Sequence, residues 1–570
     1  MPISSTFADV NIPNVDMWSF IFESPKTFPD SQVIYRSAES PERYYTYEDV
    51  KRLATSFGEG LRRKWAWQLG DIMAIYAPND IDFAPVVYGA FYAGGTISTA
   101  NPAYNSDELT FQLQNSGAKA LVTTIAFLPT AIVAAEASNI AKDHIIILGP
   151  ERSNGFQHWR DVGIQSEHGR HGRQALQPQR DLAFLVYSSG TTGLPKGVML
   201  SHYNVVSDLS LIQGAVGSSY KSGKDKMIGV LPFFHIYGLI GLVNQCLQRG
   251  IEMVVVRSYE FRSFLQLIQQ HEVTFVYVAP PIIVRLAHDK LVDNYDLSTL
   301  RMITSGAAPL TMELIQKVYK RLGVGINQAY GLSETSPMTH TQPWDEWYDS
   351  IGSVGKLFPN MTARFMSADG EVQPGKVGEL WLAGPNVFQG YWKNQKETQA
   401  SIAEHAGKRY LKTGDVGFMD DNQNFFLTDR VKDLIKYKGF QVAPTELEGK
   451  LSDHPLVQDV AIIGVFDSNQ HTEVPRAYIV HATRGGAGCH PVTGLPGDEQ
   501  SKIEATEIMN WFSKKVANHK HLRGGIRFLD SIPKSAAGKI LKNDVKRIAR
   551  QEEESQTAAD RSGIAPRARL

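Results

Sequence analysis

One short run of the sequence places hydroxyl, glycine and lysine residues close together. It reads Tyr187-Ser188-Ser189-Gly190-Thr191-Thr192-Gly193-Leu194-Pro195-Lys196-Gly197. The apolar stretch 182–186 directly precedes it and predicts a buried strand. Glycines let the backbone turn tightly and approach a ligand, and the hydroxyls, amides and cation of such a loop suit a polyphosphate. Taken alone, the run could instead be a flexible linker rich in Ser, Gly and Thr.

The run is not a Walker A loop, because that motif has glycine before its lysine and Ser or Thr after it. Here Pro195 and Gly197 occupy those two positions. The sequence therefore disfavours a kinase or GTPase of the P-loop type.

Six further segments carry small, charged or aromatic residues in a fixed order along the chain. They are 231–238, 305–310, 328–334, 411–415, 429–441 and 533–540. Each segment alone could be a loop, a turn or a solvated charge. Together with the run 187–197, they closely resemble the signatures of the adenylate-forming enzymes. That family includes acyl-CoA synthetases, 4-coumarate–CoA ligases, firefly luciferase and nonribosomal-peptide adenylation domains, and the resemblance covers nearly the whole chain.

The resemblance implies a reaction in two steps. A carboxylate attacks the α-phosphate of ATP to give an acyl-adenylate and pyrophosphate, and a thiol, usually that of CoA, then displaces AMP. The first step brings two anions together, so positive charge and fixed donors must gather there. By resemblance, Lys539 bridges the substrate carboxylate and the α-phosphate, and Glu334 binds Mg²⁺ through oxygen, as hard cations prefer. The plainer interpretations are a surface lysine and a carboxylate at a helix start.

The resemblance also assigns residues to the nucleotide. Asp415 matches an aspartate that accepts both ribose hydroxyls, and Arg430 matches its ribose or phosphate partner. Ser333 stands where the family usually has a phosphate-contacting threonine, and it keeps the hydroxyl. Tyr330 and the small residues 306–308 match the adenine slot. The full predicted set is Ser188, Ser189, Gly190, Thr191, Thr192, Gly193, Lys196, Gly306, Ala307, Ala308, Gln328, Tyr330, Gly331, Ser333, Asp415 and Arg430.

For the thioester step, the resemblance implies that a C-terminal domain rotates about a hinge at Lys432. Coumarate ligases and luciferases carry lysine at this position, whereas many acyl-CoA synthetases carry aspartate. Lys436 and Gln441 match catalytic residues of the second conformation. Lys438 and Gly439 match the loop beside the CoA thiol tunnel.

The identity of the acid is less constrained. His235 stands where amino-acid adenylation domains usually carry an aspartate for the substrate ammonium, so an α-amino acid is disfavoured. His235 could gate the pocket, contact the carboxylate or simply be packed. The positions that match the pocket of coumarate ligases are Tyr237, Gly241, Gly306, Gly331, Pro337 and Met338. Their small glycines leave room for a flat ring or an alkyl chain.

The predicted function is an acyl-CoA ligase for an aromatic, arylpropenoic or medium-chain acid, with ATP, Mg²⁺ and CoA. Two alternatives stay open at this point. One is a stand-alone adenylation enzyme that loads a carrier protein. The other is a non-enzymatic or luciferase-like derivative, which the intact Lys539, Glu334 and Asp415 disfavour.

Composition is typical of a globular protein of more than one domain, since 570 residues exceed one ordinary core. The net charge of -1 and the absence of a basic block do not favour nucleic-acid binding. Two cysteines are too few for a disulfide framework. No run reaches the roughly 18 apolar residues that a membrane span needs.

Short apolar runs alternate with helical stretches through most of the chain, which predicts an α/β fold. The predicted strands are 71–76, 120–123, 144–148, 251–256, 274–278 and 301–304, and the predicted helices 261–272 and 312–322. We expect a large N-terminal adenylation domain, 1–430, of parallel-type sheets covered by helices, with a small antiparallel unit near 361–383. A small, mobile α+β C-terminal domain follows at 431–550, with a helix N-capped by Thr445.

The last residues, 551–570, are polar and predict a disordered tail. The chain ends in Ala568-Arg569-Leu570, which resembles the peroxisomal address Ser-Lys-Leu. The expected location is therefore the peroxisome, with its import receptor as a partner, and otherwise the cytoplasm.

Overall fold

The computed structural model describes residues 2–163, 172–188, 195–306, 308, 310–373, 375–430, 432–438, 440–468, 470–487, 489, 496–535 and 538–561. The chain divides into two compact units of strands and helices. The first contains residues 1–364, 381–413 and 419–425, and the second contains 365–380, 414–418 and 426–570. The division differs from the single boundary expected at residue 430, because residues 365–380, 414–418 and 426–430 belong to the second unit.

One sheet of the first unit consists mainly of parallel strands. In spatial order the strands are Gly390–Tyr391, Lys196–Ser201, Leu182–Ser188, Thr96–Ala100, Ile72–Tyr76, Ala120–Thr123, Ile145–Ile147 and Gln157–His158. From Leu182–Ser188 onward each strand is parallel to the next. Lys196–Ser201 is antiparallel to both of its neighbours. All five residues of Ile72–Tyr76 are buried, which is typical of a parallel strand covered on both faces.

A second sheet of the same unit also has a parallel centre. Its strands, in spatial order, are Lys356–Leu357, Met338–Thr341, Gly325–Gly331, Met302–Ser305, Phe275–Val278, Lys226–Gly229, Glu252–Val255, Val33–Ser37 and Tyr44–Thr46. Gly325–Gly331 is parallel to Met302–Ser305, but Met338–Thr341 turns back antiparallel to it. The connection 332–337 therefore brings the chain back beside the end of the strand that it has just left.

Helices connect and cover these strands. Their bounds are Met17–Phe22, Tyr47–Trp65, Phe83–Tyr92, Ser106–Ser116, Leu128–Ala137, Trp159–Val162, His202–Val216, Ile236–Gly238, Gln245–Arg249, Phe261–His271, Pro280–His288, Met312–Leu322 and Gln395–Ser401, with a π-helix at Leu239–Asn244. In Phe261–His271 the buried residues are Phe261, Phe264, Leu265 and Ile268. Their helical spacing is the reason that one face packs into the core.

Further strands lie at Ile3–Ser4, Thr362–Ser367, Gly370–Glu371, Gly378–Ala383, Ile402–His405, Lys408–Met419 and Phe425–Arg430. Met366 pairs antiparallel with Glu371 around the turn predicted at 368–370. Ile402–His405 pairs antiparallel with the first half of Lys408–Met419.

The second unit also contains a separate small α+β core. A hairpin of Ile435–Tyr437 and Phe440–Val442 precedes a sheet in the order Val457–Asp467, Thr472–His481 and Ile526–Phe528. The helices of this unit are Pro444–Leu451, Glu499–Ser513 and Lys542–Arg561. Its apolar core includes Ile462, Tyr478 and Ile508, each almost without exposed surface.

The α/β architecture with mixed sheets agrees with the sequence prediction, and each predicted strand is present within one or two residues of its expected bounds. The predicted cap at Thr445 is wrong. The helix begins at Pro444 after Ala443, without a side-chain cap. Thr445 instead donates its backbone N–H to Asp429 Oδ2 at 2.9 Å. Proline is favoured in the first turn because it has no N–H to leave unpaired. The helix therefore begins at Pro444, one residue before the predicted cap.

The last helix extends past the predicted start of the tail, to Arg561. Glu552 on this helix is 3% exposed and forms ion pairs with Arg476 and Arg527. The polar residues after 550 therefore include a buried charge that anchors the helix.

Within the described parts of the chain, no helix is both long enough and apolar enough to cross a membrane.

Candidate active site

The run 187–197 lies where two antiparallel strands meet. Ser188 is the last residue of Leu182–Ser188, and Lys196, the first residue of Lys196–Ser201, pairs with it across the ladder. Both residues are half-buried. Ser189, Gly190, Thr191, Thr192 and Gly193 lie outside the described residues, so their predicted phosphate contacts stay predictions.

One tyrosine, Tyr391, contacts both Lys196 and Glu334. The Lys196 ammonium is 5.4 Å from the ring centre of Tyr391 and forms an ion pair with Glu397. The Tyr391 hydroxyl donates a hydrogen bond to Glu334 Oε1 at 2.8 Å. Two residues predicted for phosphate and metal binding are thus brought together, and the residues that join them, Tyr391 and Glu397, were not predicted.

Backbone bonds determine these positions. Tyr391 pairs with Val198 across the sheet, and Trp392 N–H donates to Gly197 O at 2.7 Å. Glu397 lies in the first turn of Gln395–Ser401, where its N–H donates to Asn394 Oδ1 at 3.1 Å. The only sequence signal for Glu397 was this local capping pattern, which indicates a helix start and not a site.

The segment around Glu334 is held by close backbone packing. Ser333 and Glu334 begin the 3₁₀ turn Ser333–Thr335, and Phe388 N–H donates to Glu334 O at 2.8 Å. Gly331 lies opposite Pro337, where a Cβ would come within 2.0 Å of the Pro337 oxygen. Only glycine allows this approach, which closes the connection 332–337.

Two residues that were predicted to bind the nucleotide, Gln328 and Tyr330, make contacts within the protein. Gln328 is buried, and its side-chain Nε2 donates to Ser353 O at 3.0 Å. Tyr330, on the same strand, is half-buried beside the buried imidazole of His340. Ala308 is half-buried, and Ala307 lies outside the described residues.

The predicted acid pocket contains two stacked tyrosines. The Tyr237 and Tyr277 ring centres are 5.8 Å apart. A Cβ at Gly306 would lie 3.2 Å from the Tyr237 ring, and one at Gly241 would lie 3.2 Å from Tyr277. The Tyr237 hydroxyl is buried and has no hydrogen-bond partner among the described residues. An unpaired buried hydroxyl is unfavourable until a partner arrives, so Tyr237 is available to a ligand.

Met338 and His235, both predicted at the acid pocket, also make contacts within the protein. The Met338 N–H donates to Asp208 Oδ1 at 3.1 Å, and burial raises the pKa of Asp208 well above its usual range. Met338 and Tyr277 also line a small cavity with room for about one water molecule. His235 caps the helix Ile236–Gly238, where its Nδ1 accepts the N–H of Tyr237 at 3.3 Å. The imidazole thus has a structural role, and its predicted role at the acid pocket stays a prediction.

In the second unit, Asp415 and Arg430 form the predicted pair, with Arg430 Nε 3.0 Å from Asp415 Oδ1. Arg430 is the last residue of Phe425–Arg430, and Asp415 lies within Lys408–Met419. Asp415 is only 7% exposed, so solvent screens this ion pair weakly.

Two lysines of this unit titrate far below their usual range. Burial, together with the positive charge of Arg430, lowers the pKa of Lys539 to about 8. The same two causes lower the pKa of Lys432 to about 8. Lys539 follows Gly538 in a tight turn, in which Ser535 N–H donates to Lys539 O at 2.8 Å. The unit therefore brings two lysines near Arg430, whose positive charge contributes to lowering the pKa of each lysine.

The residues predicted for the thioester step occupy one hairpin. Lys436 and Gln441 face each other across it. Lys438 has a left-handed backbone, with φ of 45°, and its N–H donates to Thr472 Oγ1 at 2.9 Å. The Gln441 side chain and Gly439 lie outside what the structure describes.

Two family models match the chain. Residues 21–392 match the model of the AMP-binding enzyme family, and residues 446–539 match that of the AMP-binding enzyme C-terminal domain. A probable 4-coumarate–CoA ligase of Dictyostelium discoideum is 32% identical over 565 residues, covering 95% of this chain and 97% of its own. A phenylacetyl-CoA ligase of Aspergillus niger is 32% identical over 549 residues, covering 94% and 96%.

The fold is also that of a solved structure, an anthranilate CoA ligase in complex with anthranoyl-AMP. The TM-score is 0.80, with 22% identity, and the match covers 96% of this chain and 99% of that one. The chain therefore belongs to the AMP-binding enzyme family, and it is an acid–thiol ligase that activates a carboxylic acid with ATP as an acyl-adenylate and then forms the CoA thioester.

Proposed function

We propose that the acid is aromatic or arylpropenoic, in preference to a medium-chain fatty acid. The observation that carries this proposal is the stacked pair Tyr237 and Tyr277 against Gly241 and Gly306. Flat rings pack well against such a wall, and the unpaired Tyr237 hydroxyl can bind a polar group on the ring. Relatives that are named 4-coumarate–CoA and phenylacetyl-CoA ligases support the same substrate class.

In the first step, a carboxylate oxygen of the acid bonds to the α-phosphorus of ATP while the bond to pyrophosphate breaks. Lys196 holds the β- and γ-phosphates, and Lys539 bridges the attacking carboxylate and the α-phosphate. Asp415 and Arg430 hold the ribose. Each cation lowers the barrier by stabilising negative charge that is shared between the two anions in the transition state.

Mg²⁺ fits this site through Glu334. Within the described residues, no group of three or more His, Cys, Asp or Glu side chains is placed to hold a metal ion. A single carboxylate still suits Mg²⁺, which commonly takes one or two protein carboxylates and completes its shell with phosphates and water. Tyr391 occupies only part of the Glu334 Oε1 acceptor capacity, so the carboxylate can also take a cation. When bound, Mg²⁺ supplies positive charge to the phosphates.

In the second step, the CoA thiol attacks the acyl carbon and AMP leaves. We assign the hinge for this step to Lys432, and the contacts of the second conformation to the hairpin that carries Lys436, Lys438 and Gln441. The hinge lies two residues past Arg430, so rotation there changes the residues that follow it while the ribose pair stays in place.

We also propose that the protein enters the peroxisome. The support is the terminal Ala568-Arg569-Leu570, which lies outside the described residues.

Substituting Tyr237→Phe tests the substrate assignment, because it removes only the unpaired hydroxyl. We expect kcat/KM for a ring-hydroxylated cinnamic acid to fall about tenfold, since one hydrogen bond is lost, while kcat/KM for unsubstituted cinnamic acid stays unchanged. CoA-ester formation with ATP and Mg²⁺ is the assay, with medium-chain acids run in parallel. Turnover of medium-chain acids alone would overturn the proposal.

The pH dependence of adenylation tests Lys539. The protonated lysine is the active form, so kcat/KM for ATP should fall as pH rises through about 8, rather than above 10 as for an ordinary lysine. ATP–pyrophosphate exchange between pH 6 and 10 measures this. Lys432→Ala is the control, because Lys432 also titrates near 8. A flat profile in the wild-type protein up to pH 9.5, or loss of the alkaline limb in Lys432→Ala, would contradict the assignment.

Substituting Lys432→Pro tests the hinge. We expect pyrophosphate exchange to remain near wild type and CoA-ester formation to fall at least tenfold, because proline restricts the backbone rotation. Lys432→Ala removes the same charge but leaves the backbone free, so it should keep both steps. Equal losses in the two steps for Lys432→Pro would count against a hinge at this residue.

Deleting residues 568–570 tests the location. A fluorescent protein fused to the N-terminus of the full chain should appear in puncta with a peroxisomal marker, and the deletion should make it diffuse. Puncta that persist after the deletion would refute import through this tripeptide.

A further inference from the structure

The cation of the phosphate-binding run is held by an acidic residue that none of the seven segments contains. Lys196 Nζ forms an ion pair with Glu397 Oε2. The Lys196 side chain is 13% exposed and that of Glu397 is 31% exposed. Partial burial limits screening by water, so this pair is stronger than an ordinary surface ion pair.

The partners of Lys196 are fixed more firmly than side chains on a free loop. Tyr391 pairs with the strand that begins at Lys196, and its N–H donates to Thr398 Oγ1 at 2.8 Å. Thr398 lies on the helix Gln395–Ser401, directly after Glu397. The strand Gly390–Tyr391 and the first turn of the helix are thus bonded to each other. These bonds fix the Glu397 carboxylate relative to Lys196.

The pair does not use all the donors of Lys196. An ammonium has three N–H donors, and in the described part of the chain Glu397 is the hydrogen-bond partner of Lys196. Among the described residues the other donors have no hydrogen-bond partner, so phosphate oxygens can bind them without Lys196 leaving Glu397. The Tyr391 ring beside the ammonium further limits its movement.

We propose that Glu397 is a positioning residue for adenylation, which holds the Lys196 ammonium where the β- and γ-phosphates of ATP arrive. This inference rests on the proposed role of Lys196 as a pyrophosphate contact. A lysine side chain has several rotatable bonds, and holding it in advance reduces the entropy lost when it binds. A charge that is already oriented also stabilises the transition state without further rearrangement.

Glu397→Gln tests the proposal, because it keeps the size of the side chain and removes its charge. We expect kcat/KM for ATP in pyrophosphate exchange to fall about tenfold, with KM for the acid unchanged. The second step, CoA-ester formation from supplied acyl-adenylate, should be unaffected. Glu397→Asp, which keeps the charge on a shorter side chain, should lose less than Glu397→Gln.

Glu404→Gln is the matched control, because Glu404 is an exposed carboxylate on the nearby strand Ile402–His405. It changes the net charge equally and should leave exchange unchanged. A thermal unfolding scan of each full-length variant separates a folding defect from a kinetic one. If Glu397→Gln fails to fold, Glu397→Asp tests the pair by moving the carboxylate away from Lys196: kcat/KM for ATP should still fall, and an unchanged value would overturn the proposal.

A double variant distinguishes action through Lys196 from a separate effect. In a Lys196→Met background, Glu397→Gln should cause no further loss, because the ammonium that it positions is absent. Additive losses, or an increased affinity of Glu397→Gln for ATP, would overturn the proposal and show that Glu397 acts elsewhere or competes with phosphate. Lys196→Met with normal exchange would instead overturn the phosphate role on which the inference rests.

Discussion

A reaction between two anions requires positive charge where they meet, and concentrating that charge in a folded protein is unfavourable. Burial disfavours an ammonium ion, and neighbouring cations repel one another. Lys432 and Lys539 show both effects, since each has its pKa lowered to about 8 beside Arg430. Carboxylates offset part of this cost. Asp415 pairs with Arg430, and Glu397 pairs with Lys196. These acidic residues therefore hold the two cations in place.

Strand ends provide the positions for the charges in each unit. Lys196 is the first residue of its strand, and Arg430 is the last residue of Phe425–Arg430. A sheet ladder fixes the backbone at such a position, while the side chain extends past the last hydrogen bond. The remaining freedom lies in the long side chain, and a single ion pair at its tip removes much of it. The sheet thus fixes the backbone of the cationic residue, and the acidic partner fixes the tip of its side chain.

Sequence patterns predicted the parallel strands well, because buried strands have a continuous apolar signal that depends on local residues. The pair Asp415 and Arg430 was expected from the motifs, and the structure brings the two side chains together. Lys196 and Glu334 were predicted separately, and each contacts Tyr391. Tyr391 and Glu397 were missed because their role depends on the pairing of Tyr391 with Val198, which no local pattern encodes. Glu552 was assigned to a tail because its partners, Arg476 and Arg527, are also distant along the chain.

In the proposed acid pocket, close packing and not ion pairing restricts which residues can be substituted. At Gly331 a Cβ would approach Pro337 O to 2.0 Å, so this part of the wall is backbone against backbone and cannot accept a side chain. Gly241 and Gly306 are in tight contact with tyrosine rings, at 3.2 Å from an added Cβ, so larger residues there would require the rings to shift. The freedom to change the shape and polarity of the pocket therefore lies in side chains such as Tyr237 and Met338. Selection among acids can change at those positions without moving a strand or disturbing the residues proposed to bind ATP.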